Sequence, residues 1–329
     1  MGHLLIIILI VLALLFAFLN GFHDSANVVA TMISSRAMTP TAALLIASVA
    51  NFVGPFAFGL AVAKTIGEDV ASPASITIAV VLAALLSASI WNLITWWLGI
   101  PSSSSHALIG GIVGAVLVGS GFHALRSQGL ILVGVALFLS PVLGYLLGIV
   151  LMRIVMWSVR HATPKANLFF KYAQMPTAFA LALSHGTNDA QKTIGIIIMG
   201  MVVLGYQATF SVPWWVILIN AVAIGLGTAA GGWRIIRTLG GKFYQIRPIH
   251  SFVSQLSSML VILGASLVGG PVSTTHVVSS AIIGVGAAQR RSQVRWGVMG
   301  DILIAWFLTV PAAAGISAGL FYLIDYLVP

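Results

Sequence analysis

The chain has 329 residues, 59% hydrophobic and 6% charged, with 15 Lys and Arg against 6 Asp and Glu and a formal charge of +9. A soluble domain carries roughly 25% charged residues, and a mean hydropathy of +1.08 makes lipid the solvent for most of the surface. The basic balance does not indicate nucleic acid, because the charges sit in short connections between apolar runs rather than on one exposed face. The lack of cysteine excludes a disulfide framework and a thiolate metal or redox site.

At about 20 residues per crossing, the apolar runs predict spans over 4–34, 41–64, 74–98, 101–119, 127–152, 173–205, 213–231, 250–269, 271–287 and 296–325. Polar residues interrupt the first and the sixth. The run 4–19 has no basic leader and continues straight into those polar residues, so it reads as a membrane span rather than a cleaved signal peptide. Of the 15 basic residues, twelve fall in four places: Arg36; Arg153, Arg160, Lys165 and Lys171; Arg234, Arg237, Lys242 and Arg247; and Arg290, Arg291 and Arg295. Positive charge marks the cytoplasmic side. The connection with Glu68 and Asp69, the uncharged connection 206–212 and the end bearing Asp325 then lie outside, and the segments alternate. Re-entrant hairpins are the other reading of 101–119 and 271–287. Trp91, Trp96, Trp97, Trp214 and Trp215 read as interfacial belts, and the basic stretch between Gly231-Gly232 and Gly240-Gly241 reads as a flexible cytoplasmic connection.

Two motifs recur. Gly21-Phe22-His23-Asp24-Ser25-Ala26-Asn27 is matched 165 residues later by Gly186-Thr187-Asn188-Asp189-Ala190-Gln191-Lys192. Pro101-Ser102-Ser103-Ser104-Ser105-His106 is matched 170 residues later by Pro271-Val272-Ser273-Thr274-Thr275-His276. Two ordered pairs at nearly one offset indicate an internal repeat. On the orientation above the Asp24 segment runs inward and the Asp189 segment outward. The expected fold is therefore all-α and polytopic, with two inverted-topology repeats, broken helices and helical hairpins. Residues 1–152 form the first repeat, 153–172 a basic cytoplasmic connection and 173–329 the second repeat.

An ionised carboxylate at the bilayer centre costs at least ~2.5 to 3.5 kcal/mol. Asp24 and Asp189 each lie deep in an apolar run, which marks them as functional; a structural pair with Lys192 or a residue snorkelling to the interface is the plainer reading. The Gly, Asn and small polar residues around each Asp predict a helix break that exposes carbonyls. Carboxylate, Asn amide and carbonyl oxygens suit Na⁺, or a proton where Asp or His titrates. Pro101 and Pro271 suit a first helical turn, and the hydroxyls after them make an anion site with the helix N-terminus, or else packing residues between membrane helices. His106 and His276 occupy matching positions, and His23 and His185 flank the two Asp; each reads first as a polar residue orienting its surroundings. Lys192 either balances Asp189 or approaches the anion.

These residues, Asn20-Gly21-Phe22-His23-Asp24-Ser25-Ala26-Asn27 through Arg36-Ala37-Met38, His185-Gly186-Thr187-Asn188-Asp189-Ala190-Gln191-Lys192 and Pro271-Val272-Ser273-Thr274-Thr275-His276, resemble the inorganic phosphate transporter family over essentially the full length. The resemblance implies a midplane phosphate site, cation-coupled symport and residence in a bacterial or archaeal plasma membrane. It assigns cation coordination or coupling to Asp24, Asn27, Asn188 and Asp189, where Na⁺ would bind, and phosphate contact to Ser103, Ser104, Ser105, Ser273, Thr274 and Thr275. His23, His106, His185, His276 and Lys192 are accessory or proton-carrying candidates. His23 stands where sodium-coupled members commonly carry Asn, and Asn51 and Gln255 where they often carry Glu, which brings the chain closer to members that use protons, some with metal-phosphate complexes. The same family includes sulfate permeases.

The expectation is an importer of inorganic phosphate, free or as a metal-phosphate complex, co-transporting H⁺ or Na⁺ with no cofactor, in contact with lipid, without nucleic acid, and with Gly and Ala faces that could support a homodimer. The readings from other classes are an anion channel and an intramembrane hydrolase using Ser104, His106 and Asp24.

Overall fold

The computed structural model describes residues 2–71, 75–241 and 243–327; Lys242, and residue 74 at the edge of the third predicted span, lie outside them. The described chain is helical, with a lone β-bridge between Ala71 and Leu125. In order the helices are α1 (Gly2–Ser34), α2 (Pro40–Ala57), α3 (Ala61–Lys64) running into a π-turn (Thr65–Asp69), α4 (Ile78–Leu98), α5 (Ser104–Ser120), α6 (Ser127–Ser158), α7 (Ala166–Val203), α8 (Trp214–Ala230), α9 (Trp233–Gly241), α10 (Pro248–Leu267), α11 (Thr274–Arg290) and α12 (Trp296–Leu327). Among the described residues six of them, α1, α2, α4, α6, α10 and α12, are long and apolar enough to cross a membrane, and the α8–α9 pair passes the same test together but is bent at its break. This is a multi-pass membrane protein.

α1 shows why an all-round apolar helix belongs in lipid. Leu4, Ile7 and Val11 are exposed on one side while Leu9, Ala13 and Phe16 are buried on the other, so both faces meet apolar surroundings. The expected breaks at the two Asp are absent: α1 and α7 run continuously through Asp24 and Asp189. The glycines there serve close packing instead. A Cβ on Gly21 would strike the Ile224 carbonyl of α8, and one on Gly186 would sit 2.6 Å from the Asn51 carbonyl oxygen of α2, the small-residue contact that lets membrane helices approach. A break does occur at Gly231, with φ +72, where α8 and α9 meet at 66°.

Residues 101–119 and 271–287 are not spans of their own. α4 ends at Gly99, φ +68, and α10 is followed by Gly269, φ +77; each left-handed residue turns the chain back. Pro101 and Pro271 then lead through extended Ser103 and Ser273 into α5 and α11. Both tips are buried, from Pro101 to Ser105 and from Gly269 to Thr275, so α4–α5 and α10–α11 are hairpins whose turns end inside the protein. The stretch after Gly231 is likewise ordered rather than flexible. α9 buries Ile235, Ile236 and Leu239, Thr238 Oγ1 donates to Gly99 O at 2.9 Å, and the Arg234 guanidinium donates to Trp97 O. α3 and its π-turn lie against the other tip, with Thr65 Oγ1 donating to Gly269 O at 2.9 Å. Trp97 and Trp214 are exposed as belt residues should be, whereas Trp91 Nε1 is tied to Thr309 Oγ1 at 3.1 Å within the packing.

The helix contacts come in matched pairs. α1 packs on α8 as α7 packs on α2; α5 on α12 as α11 on α6; α4 on α1 as α10 on α7; α9 on α1 as α3 on α7.

Candidate functional site

The two hairpin tips meet between α1 and α7. Ser105 Oγ donates to Val272 O at 2.9 Å, joining tip to tip. Below this junction lie both carboxylates, with Asp24 1% and Asp189 0% exposed. His185, one turn before Asp189 on α7, bridges them: its Nε2 is 3.0 Å from Asp189 Oδ2 and 3.9 Å from Asp24 Oδ2. Its Nδ1 is 3.1 Å from Asn51 Oδ1. The Asn51 amide nitrogen donates to Thr228 Oγ1, whose own hydroxyl proton goes to Ile224 O. That chain makes Asn51 Oδ1 the acceptor and His185 Nδ1 the donor, and it leaves Nε2 facing the two carboxylates without a hydrogen-bond partner. His23 Nδ1 lies 2.9 Å from Asp24 Oδ1.

Lys192 is wholly buried, and its ammonium is fully used: Nζ donates to Asp189 Oδ1 at 2.5 Å, Ser105 Oγ at 2.5 Å and Val272 O at 2.9 Å. The hydroxyls of the tips face the carboxylates. Thr275 Oγ1 donates to Asp24 Oδ1 at 3.0 Å; Thr274 Oγ1 is 3.4 Å from both Asp24 Oδ2 and Asp189 Oδ2; Ser104 Oγ is 3.4 Å from Asp24 Oδ2. Asn27 Nδ2 donates to Thr275 Oγ1, and Asn188 Nδ2 to Ser266 Oγ and Gly270 O. The other end of each amide, Asn27 Oδ1 and Asn188 Oδ1, is buried without a partner, a free hard-oxygen donor of the kind a cation takes.

The structure thus gathers Asp24, Asn27, Asn188, Asp189, His23, His185, Lys192, Ser104, Ser105, Thr274 and Thr275. Four predicted residues stand apart. Ser103 and Ser273 are N-caps, their Oγ atoms accepting from the His106 and His276 backbone N–H at 3.2 Å. His106 and His276 turn away from the carboxylates and pair with each other, ring centroids 4.5 Å apart, with His276 stacked on Trp306. They border an apolar groove of about 1000 Å³ between α5, α6, α11 and α12. Because His106 Nδ1 is 2.8 Å from Ser103 Oγ, it is engaged by the cap rather than by Ser104, and the Ser104-His106-Asp24 triad does not form. Gln255 also lies elsewhere, tying α10 to Thr177 of α7 and Thr31 of α1. One contributor that sequence reasoning missed is Gln191, whose Oε1 accepts from Val62 and Ala63 N–H at 2.8 and 3.3 Å and so caps α3. Its place one residue before Lys192 was the only signal.

Fold and site together define a multi-pass membrane protein with a buried, charged, hydroxyl-lined centre at the meeting of two hairpin tips. The sequence signature of the phosphate transporter family matches residues 20–317. A probable low-affinity inorganic phosphate transporter of Rhizobium meliloti (strain 1021) is 46% identical, over 98% of this chain and 97% of that protein. One of the same description from Bacillus subtilis (strain 168) is 44% identical, over 98% of each. The solved structure of a sodium-dependent phosphate transporter superposes with a TM-score of 0.92 at 27% identity, covering 98% of this chain and 100% of that one. The chain belongs to the phosphate transporter family, and it is not an enzyme.

Proposed function

We propose that this chain carries inorganic phosphate into the cell across the plasma membrane by cation-coupled symport, through alternating access of two inverted repeats. The observation that carries the reading is the shared use of the tip hydroxyls. Thr274, Thr275 and Ser104 spend their donors on the carboxylates. A cation that neutralises Asp24 or Asp189 releases those hydroxyls, which rotate freely, to donate to phosphate at the N-termini of α5 and α11. The same neutralisation removes like-charge repulsion against the anion, so cation and phosphate each favour the other's binding. Ser103 and Ser273 contribute by capping the helices that aim at the anion.

The matched helix contacts and the recurrence of both motifs support the repeat, with 1–152 and 173–329 as its halves and 153–172 between them. Buried tips also leave the orientation intact: the two arms of each hairpin enter and leave on one side, so every other connection keeps the side its basic residues assign.

The driving ion we assign is the proton, taken up on the Asp24, His185 and Asp189 cluster. Na⁺ is the second reading, favoured by the unpartnered oxygens of Asn27 and Asn188. Labelled phosphate uptake into proteoliposomes, with pH and Na⁺ gradients imposed separately and sulfate as competitor, tests all of this. Accumulation above the external level under a pH gradient alone, undiminished by sulfate, is expected. Uptake that only equilibrates would replace the symporter by a channel, accumulation under Na⁺ alone would reassign the ion, and strong competition by sulfate would reassign the anion. Asp24→Asn should abolish accumulation while the protein still inserts in the membrane; normal accumulation would overturn the role of Asp24.

A further inference from the structure

The repeat pairs Asp24 with Asp189 but differs around them: Asn20 matches His185, His23 matches Asn188 and Asn27 matches Lys192, and the last of these sets an ammonium where the other half has an amide. Asn27 lies three residues past Asp24, and Lys192 three residues past Asp189. Their contacts match: Asn27 Nδ2 donates to Thr275 Oγ1 of α11, and Lys192 Nζ to Ser105 Oγ of α5, where Thr275 and Ser105 hold the same place in the second motif. Their charge does not. Each half has an amide oxygen without a partner, Asn27 Oδ1 in the first and Asn188 Oδ1 in the second, of the kind a cation takes, but Asp24 meets the His23 ring and tip hydroxyls rather than an ammonium. The second half offers a carboxylate already in contact with an ammonium whose three N–H groups are all taken.

We propose that Lys192 is a built-in cation, occupying in the second half the place that the first half leaves for an exchangeable ion, so that the chain needs one coupling ion fewer than it would with Asn in both halves. The inference rests on the cation-coupled reading above. A buried carboxylate must be compensated before an anion can approach it. A free ion does so only when it binds, and by binding transmits its gradient. An ammonium tethered to α7 does so always and is released to neither side, so it contributes compensation without contributing driving force. Lys192 also holds Val272 O and Ser105 Oγ, which keeps its charge at the junction of the tips.

Lys192→Asn makes the two halves alike at this position. Full-length wild type and variant are reconstituted, and labelled phosphate uptake is followed as external Na⁺ replaces choline at a constant pH gradient. Without the ammonium, Asp189 faces the free oxygen of Asn188 and that of the new Asn, a hard-oxygen set that takes Na⁺ even where protons drive the wild type, so the readout is the change in Na⁺ dependence from wild type to variant. The variant is expected to gain a response steeper by about one ion, with uptake at high Na⁺ about tenfold above that in choline. Its thermal transition should also rise with Na⁺ more than that of the wild type. Lys192→Gln, neutral and of nearly the same length, is expected to behave alike. If neither variant gains a Na⁺ response, whether because the profile is unaltered or because neither can be recovered folded in Na⁺ or in choline, the proposal is overturned. Wild-type vesicles that take up no phosphate would instead overturn the transport reading itself.

Discussion

Gly186 shows how one missing methyl supports the centre. A Cβ there would lie 2.6 Å from Asn51 O and 2.7 Å from Asn51 Cα, and Asn51 is the residue that orients His185. Gly186→Ala is therefore expected to destabilise by about 1 to 3 kcal/mol through overpacking and to lower phosphate uptake. Gly134→Ala on α6, where a Cβ meets nothing within 4 Å, should leave both unchanged; thermal unfolding and uptake of the two purified variants make the comparison. The charged residues of the site were legible in the sequence because an Asp in an apolar run stands out and recurs. The directions of Ser103, His106, Ser273 and His276 were not. At a helix start, successive side chains point about 100° apart, so a run of hydroxyls names the site without saying which of them face it. The glycines misled for a related reason: flexibility and close packing draw on the same residue, and only the neighbouring helix decides between them.

The hairpins are where apolar run length ceases to inform. α4 and α5 together contain enough apolar residues for two crossings, and their turn carries no charge to betray its depth. Length gave no signal either: the 19 residues of the run 101–119 fall within the roughly 17 to 25 that cross a bilayer, and only the structure shows that α5 has 17. α9 was hidden behind its flanking glycine pairs, although Ile235, Ile236 and Leu239 already lay on one helical face. The reassignment of Ser103 from ligand to cap is open to a direct check. Ser103→Gly removes the hydroxyl at a position where Gly caps nearly as well, at a few tenths of a kcal/mol, and uptake should persist. Ser105→Ala, which removes the acceptor of Lys192 and the donor to Val272 O, should lose it. Equal loss in both variants would return Ser103 to the anion site.

For the whole molecule, membrane residence could be read from composition alone and motif spacing suggested the proposed halves, whereas the meeting of the hairpin tips depends on contacts between residues some 170 positions apart, such as Ser105 with Val272. The proposed orientation rests on sparse basic residues and can be tested in a chain that has no cysteine of its own. Lys64→Cys, beside the acidic π-turn, should react in intact cells with a membrane-impermeant thiol reagent, while Arg237→Cys, exposed on α9, should react only after the membrane is opened. The reverse pattern would invert the topology.

On the proposed orientation the two tips, which touch at Ser105 and Val272, enter from opposite faces and would reshape the electric field. Wherever water follows the hairpins inward, the membrane voltage falls not over the full bilayer but over the few residues that separate the two sides. An elementary charge crossing that short barrier experiences most of the potential, ~2.3 kcal/mol per 100 mV. An ion that shifts by no more than the depth of the tips can thus perform nearly the electrical work of a complete crossing.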